Sequence, residues 1–450
     1  MSADDTDLTQ GPVWRALARL SGPMVIGILA VLSVGLADAY FLGKLGGAPL
    51  AAVGFIYPIT AAITSLSIGL SAGANATVSQ TLGSDDTDRD PTRIGLHTVG
   101  LGLIMSLFIA GALYLTYPYL FAALGAQDDV QTEIAAFMPY WCLSFPPLVI
   151  TMQINALIRA HGSSVAPAVL MSAEAVLNII LTPLFVFTFD MGTAGAALGT
   201  FVARMVICAV AIAYAGRQNI LIWCENVTQD LMWSTKELFR VGGPAAFSNA
   251  INPAGMAAVT AAVATVGTDA VGGFGAATRV QQIALVPMLA LSSGIGPVVG
   301  QNWGAGQKDR AAKGLQAALA FCIAYGVLVG LILFVFAQPF ASWLTSGGGA
   351  ADYAVTYMKI VGWSLFGYGF VVVINAAMNA RSKAGWSMTL SLGRIFALYL
   401  PLAWLGVGIL DFTGITLAAV TANVAAAAVG LVFAWKVGLF RADHLRATFV

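Results

Sequence analysis

The chain has 450 residues, of which 58% are hydrophobic and only 9% charged. Soluble domains carry about 25% charged residues, so a water-facing globular surface is excluded. Mean hydropathy is +0.83, and 21 Lys and Arg balance 21 Asp and Glu. That balance excludes a basic nucleic-acid binder and an acidic disordered tail, and no nucleic-acid partner is expected.

At about 20 apolar residues per crossing, this length has room for roughly a dozen transmembrane helices. Apolar stretches separated by short polar breaks predict twelve, over 20–42, 51–80, 94–122, 133–158, 167–189, 194–215, 241–265, 271–300, 314–340, 353–379, 387–410 and 414–437. The breaks carry turn residues: Gly46-Gly47, Gly83 with Asp85-Asp86, Gly125, Gly162-Ser163-Ser164 and Gly347-Gly348-Gly349. The expected layout is an N-terminal tail over 1–19, a first lobe over 20–215, a linker over 216–240, a second lobe over 241–437 and a tail over 438–450. The polar, acidic start (MSADDTDLTQ) is the wrong n-region for a cleavable signal peptide.

Orientation follows from Lys and Arg. Sixteen fall on one side of this layout, from Arg15 and Arg19 through Lys308, Arg310 and Lys313 to Lys436, Arg441 and Arg446. Only Lys44 falls on the other, and Arg204, Arg279, Lys359 and Arg394 lie within helices. Short loops rich in Lys and Arg stay in the cytoplasm, so both termini are expected inside, in the inner (plasma) membrane.

The halves repeat. Leu17, Arg19, Pro23, Gly46, Gly54, Ser71, Gly73, Gln80 and Gly83 each have an identical partner 221 positions later. Ile154-Asn155-Ala156 matches Ile374-Asn375-Ala376 at offset 220. Six helices per half is an even number, so both halves enter the membrane the same way. The expected fold is an all-α membrane protein of two six-helix bundles, related by a pseudo-twofold axis along the membrane normal, with a cleft between them.

No GxxxxGK[ST] loop is present to cradle ATP phosphates. The cysteines (Cys142, Cys208, Cys224, Cys322) and histidines (His97, His161, His444) are scattered and form no ligand-spaced set. No membrane-embedded Ser/His or paired-Asp constellation points to an enzyme. Of the acids, only Asp38 and Glu174 lie well inside apolar runs, and a carboxylate there costs several kcal/mol unless protonated, paired or hydrated. Asp38 lies about 22 Å along the helix from Pro23, at 1.5 Å per residue, which places it in the outer half of the first span. It reads as a proton or sodium site, or as the partner of Arg204 or Arg279. Glu174, Asn178 and Thr182 share one helix face at i, i+4, i+8, and read as a wet cavity wall. The competing reading is a structural salt bridge from Glu174 to Arg394, which occupies the equivalent repeat position. The pairs Gly69/Gly73, Gly195/Gly199 and Gly326/Gly330 are expected to serve packing within the chain, with a monomer as the expected state.

Three segments, ADAYFLGKLGGAPLAAVGF, VVGQNWGAGQKDRA and INALIRAHGSSVAP followed by LNIILTPLFVF, resemble the junctions of the multidrug and toxic compound extrusion (MATE) transporter family. The resemblance covers nearly the whole chain. It implies export of small organic compounds, often cationic and lipophilic, by alternating access, coupled to protons or sodium and without a cofactor. It assigns cation coupling to Asp38 and implies supporting roles for Asn178 on the fifth span and Thr200 on the sixth. Thr182 stands where many bacterial members carry an aspartate, which leaves Glu174 as a candidate replacement. Protons are preferred, with sodium at Asp38, Asn178 and Thr200 as the other possibility. Gln153, Asn155, Arg279, Gln282 and Met288 are candidate cavity-lining residues, and Pro23 is the candidate hinge of the first span. The rival within the same superfamily is a flippase for lipid-linked precursors, which needs a more cationic cavity.

Overall fold

The computed structural model describes residues 7–84, 89–224, 226–345 and 347–440. Asp85, Asp86, His444, Arg441, Arg446 and most of the expected C-terminal tail lie outside the described residues. Among the described residues there is no strand. The helices are α1 (Val13–Leu45), α2 (Gly47–Gly83), α3 (Pro91–Ala123), α4 (Asp128–Ala160), α5 (Val165–Pro183), α6 (Gly192–Arg217) and α7 (Leu231–Ala264). They continue with α8 (Thr268–Ala284), α9 (Val286–Gly304), α10 (Lys308–Thr345), α11 (Gly349–Val361), α12 (Leu365–Ala380), α13 (Ala384–Leu392) and α14 (Leu400–Lys436).

Two of these boundaries differ from the sequence-based layout. α1 begins at Val13 and α7 at Leu231, so parts of the expected tail and linker are helical. Charged residues such as Arg15, Lys236 and Arg240 end an apolar run without ending a helix, since Lys and Arg are good helix formers in water.

Among the described residues nine helical stretches are long and apolar enough to cross a membrane, or ten if α8 and α9, bent by 43°, form one span. Two features separate this number from the expected twelve. α7 is long, but Ser248, Asn249, Asn252, Pro244 and Pro253 make it too polar to qualify. The stretch Ala384–Lys436 runs 53 residues. A helix of that length would measure about 80 Å, more than twice the roughly 30 Å hydrocarbon core. The backbone breaks within it at Leu410 and Asp411, where Asp411 adopts φ 50°. A methyl group on Gly414 would lie 2.0 Å from the carbonyl oxygen of Gly406, so the two arms pass at a separation only glycines permit.

The outer faces of the helices are apolar. Phe108 is 76% exposed, Leu115 72% and Ile104 67%, an arrangement suited to lipid and not to water. Polar ends are built for the helix dipole. Asp90 caps α3 by accepting from the Thr92 N–H at 2.8 Å, α4 opens with Asp128 and Asp129, and Arg159 closes it.

Packing repeats as the sequence does. In the first half α1 lies on α5, α2 on α4, and α4 on α6; in the second α7 lies on α13, α9 on α12, and α12 on α14. Between the halves, α2 packs on α7 and α1 on α9, a pair of contacts that a twofold axis interchanges. Gly46 and Gly267, repeat partners, take matching backbone conformations with φ 134° and 146°. Those φ values favour glycine and explain the identity at that position. The three small-residue pairs pack within the chain: Gly69 against Ala246, Gly195 against Phe185 and Gly326 against Phe366.

The junction between the halves is tight at one end. A methyl on Gly83 would lie 2.0 Å from the Gln301 carbonyl oxygen, and one on Gly304 would lie 2.1 Å from that of Gln80. Gln80 Nε2 donates to the Ala380 carbonyl at 2.5 Å, and its repeat partner Gln301 donates to the Ala160 carbonyl at 2.7 Å. The segment before α1 adds a strap, with the Leu8 N–H donating to Gln301 Oε1 at 3.1 Å and Asn302 Nδ2 donating to the Leu8 carbonyl at 3.0 Å. Leu8 is fully buried in the core of the second half. Toward the other end, methyl groups on Gly46, Gly47 and Gly54 at the start of α2, and on Gly267 and Gly275 at the start of α8, would meet nothing within 4 Å. The halves close at the Arg/Lys-rich end, and the glycines toward the other end have no close neighbour.

Candidate functional site

The first half assembles a polar cluster from α1, α4, α5 and α6. Its centre is the i, i+4 pair Asn178 and Thr182 on the inner face of α5, both buried. Asn178 Nδ2 donates to Thr200 Oγ1 on α6 at 2.9 Å, and Thr200 passes its own proton to the Ala196 carbonyl at 3.1 Å. The Thr182 hydroxyl faces two acceptors, Asn178 Oδ1 at 3.4 Å and Asp38 Oδ1 at 3.5 Å. It has one proton, so it serves one of them at a time. Both contacts are long, and the half-buried Asp38 carboxylate retains most of its accepting capacity.

Glu174, one turn earlier on α5, has a separate partner. Arg204 Nε lies 3.6 Å from Glu174 Oε1, and Arg204 Nη1 donates to Ser144 Oγ on α4 at 2.7 Å. The bridge to Arg394 that the repeat suggested is not formed, because Arg204 on α6 is the nearer cation. Glu174 is the ion-pair partner of Arg204, whose charge also reaches Asp38, so the cluster of two carboxylates and one guanidinium is one negative charge in excess and Asp38 is the carboxylate without an ion-pair contact. A carboxylate pair poised by one fixed guanidinium therefore leaves a single unmatched charge, which suits one monovalent cation.

Two backbone features position this cluster. Pro183 directly follows Thr182, and the chain then widens into a π-helical turn over Leu184–Thr188. Such turns re-aim side chains and are frequent at functional sites. Gly199 lets α6 approach closely, since a methyl there would lie 3.1 Å from the Thr182 nitrogen.

The residues expected to line a cavity separate into two groups. Arg279 and Gln282 are exposed at i, i+3 on α8, just before its bend, and Arg279 forms no ion pair among the described residues. Gln153 is fully buried with neither amide atom hydrogen-bonded, and Met288 is 1% exposed with its sulfur against Gly369. Asn155 is 5% exposed. These three are interior packing positions; a polar or flexible side chain on an apolar helix does not reveal which way it faces. Pro23 lies in α1, which continues through it as one helix.

A second polar cluster forms in the other half around Arg394, one of the four cations that the sequence places within helices. Arg394 sits in a π-helical turn over Gly393–Tyr399. Its Nη2 donates to Asn252 Oδ1 on α7 at 2.8 Å and its Nη1 to Asn423 Oδ1 on α14 at 3.3 Å. Its guanidinium carbon lies 5.0 Å from the ring centre of Tyr368 on α12.

Comparison with known proteins matches this architecture. The MatE family profile matches twice, over residues 23–184 and 244–405, the second match starting and ending 221 residues after the first. The chain is 32% identical over 425 residues to the FAD transporter of Shewanella oneidensis, covering 92% of this chain and 93% of that one. It is 25% identical over 410 residues to the probable multidrug resistance protein YpnP of Bacillus subtilis, covering 89% and 91%. Among solved structures, the Vibrio cholerae MATE transporter VcmN in its bent form superposes with a TM-score of 0.90 at 29% identity, covering 95% of this chain and 98% of that one. An outward-facing multidrug resistance MATE family transporter superposes at 0.92 with 22% identity, a likeness of fold. With two full matches spanning both halves, the chain belongs to the MatE family of membrane transporters.

Proposed function

We propose that this protein is a secondary active antiporter that exports small organic compounds across the plasma membrane in exchange for protons. On this reading twelve spans form two lobes, both termini are cytoplasmic, and one chain acts alone. The observation that carries it is the unmatched Asp38 carboxylate, held by one long contact beside a cluster whose other charges cancel. Protons fit better than sodium. Of Asn178, Thr182 and Thr200 only Thr182 contacts Asp38, at 3.5 Å, so the neighbouring oxygens are not gathered round the carboxylate as a ligand shell. A monovalent metal needs several fixed oxygens, while a proton needs one. The arrangement at the Arg/Lys-rich seam supports an outward-open state, with the cleft facing the periplasmic or external side. Protonation removes the charge on Asp38, and α1 can then repack, bending near Pro23, as the lobes exchange which mouth is closed.

The flippase alternative loses support because Arg204, one of four intramembrane cations, is already neutralised by Glu174. The S. oneidensis relative makes flavin dinucleotide a candidate substrate. The test is reconstitution in liposomes with proton and sodium gradients imposed separately. Export should follow the proton gradient alone, and Asp38→Asn should abolish it while leaving the folded fraction unchanged. Sodium-driven export, or full activity of Asp38→Asn, overturns the reading.

A further inference from the structure

The sequence reading expected cationic substrates, and the second half of the molecule points elsewhere. Arg394 is 8% exposed and has only neutral partners: two amide oxygens and an aromatic face. Its Nε is buried without any hydrogen-bond partner. It forms no ion pair among the described residues. A guanidinium this far from water without a counter-charge is costly, and removing a partner from a buried pair typically costs several kcal/mol. In the other half, the repeat-equivalent position holds Glu174, which is paired with Arg204. The buried arginine of the first lobe has a carboxylate partner, and that of the second has none among the described residues.

The surroundings offer no compensation. Over 241–437 the acids are Asp269, Asp309, Asp352 and Asp411, against nine Lys and Arg. All four acids lie at helix ends or at the α14 break, and none forms an ion pair with Arg394. The half-buried Asn252 and Tyr368 flank the guanidinium, and next to Asn252 on α7 the residues Pro253 and Ala254 are exposed.

From this we infer that Arg394, with Asn252, Asn423 and Tyr368, forms a binding site for the anionic group of an organic substrate, a phosphate or carboxylate attached to a planar or apolar body. Arginine presents a planar fork that matches such oxygens, and the amides can turn their N–H groups toward the anion once it displaces them from the guanidinium. Tyr368 offers a ring for the apolar part. The site deepens the export reading and rests on it for the statement that the ligand is cargo.

The test uses the full-length protein in lipid nanodiscs and three probes: FAD, riboflavin and tetraphenylphosphonium. FAD and riboflavin share the flavin ring, but only FAD carries the charged pyrophosphate. Wild type should bind FAD at least tenfold more tightly than riboflavin, a difference of about 1.4 kcal/mol. Arg394→Gln should erase that preference and leave riboflavin binding unchanged, while Arg394→Lys should keep part of it. Equal binding of FAD and riboflavin by wild type, or no binding of either, overturns the site without any variant; so does an unaltered preference in Arg394→Gln. If Arg394→Gln fails to fold by size exclusion, Asn252→Ala replaces it, with a weakened FAD preference expected and an unaltered one counting against the site. Proton-driven export of tetraphenylphosphonium without FAD binding sinks the anion site and spares the antiporter. FAD binding through Arg394 with no gradient-driven flux does the reverse.

Discussion

Glu174 and Arg204 illustrate how a buried charge is tolerated. Each is kept by the other, with Ser144 occupying a further guanidinium proton. Arg204→Met should therefore destabilise the protein by about 3–5 kcal/mol, because it strands a carboxylate. The double variant Arg204→Met/Glu174→Gln should recover most of that loss in thermal unfolding of the purified protein. Equal melting of the single and double variants would show that the pair is not a unit. Thr182 acts differently, since its hydroxyl is shared between Asp38 and Asn178. Thr182→Val should slow proton-driven export by about fivefold, the equivalent of roughly one hydrogen bond, without loss of fold. Unchanged transport rates in liposomes would remove Thr182 from the coupling site.

At the scale of helices, close approach is decided by glycine. α2 and α9 meet at the Arg/Lys-rich end because Gly83 and Gly304 each sit against a glutamine carbonyl of the opposite half. Gly83→Val has no room, and overpacking of this kind costs about 1–3 kcal/mol. It should lower the melting temperature, whereas Gly54→Ala, with open space around it, should leave the melting temperature level or raise it. A similar response to both would mean the seam yields more easily than its geometry indicates. The connection from α6 to α7 is held down as well. Arg93 on α3 pairs with Asp230 at 2.5 Å, and His97 bonds Ser234 at 2.9 Å and the Val227 carbonyl. These contacts dock the start of α7 and the residues just before it onto the first half.

For the whole molecule, the twofold-related glutamines are the contacts that must break if the closed mouth is to open. Gln80 reaches from the first half to the end of α12, and Gln301 from the second half to the end of α4. The strap at Leu8 reinforces only the Gln301 side. Two lost hydrogen bonds remove about 2 kcal/mol from the closed state, roughly a 30-fold change in its population relative to the open one. The double variant Gln80→Ala/Gln301→Ala should expose a cysteine placed at Ser79 to a membrane-impermeant maleimide supplied from the cytoplasmic side. Labelling as slow as in the parent, with the native cysteines removed from both, would count against a gating role for these residues.

Much of this organisation was legible in the residues. Hydrophobic runs are long-range-independent: a helix in lipid must satisfy its backbone internally, so composition dictates the all-helical class. The 221-residue offset reports the doubled fold, and Asp38 and the Glu174, Asn178 and Thr182 face stand out as polar groups in apolar helices, while Thr200 enters only through the family resemblance. What remained hidden was direction and partnership. Gln153 and Met288 read as cavity walls but point into packed interior, since an all-round apolar helix carries no stripe to orient it. Whether Glu174 met Arg204 or Arg394, and whether Arg394 met an acid at all, depended on which helices pack side by side, and charge pairing over a few ångströms is a property of that packing. Secondary structure here is a local consequence of solvent and chain chemistry; the chemistry of the sites came from neighbours tens to hundreds of residues away.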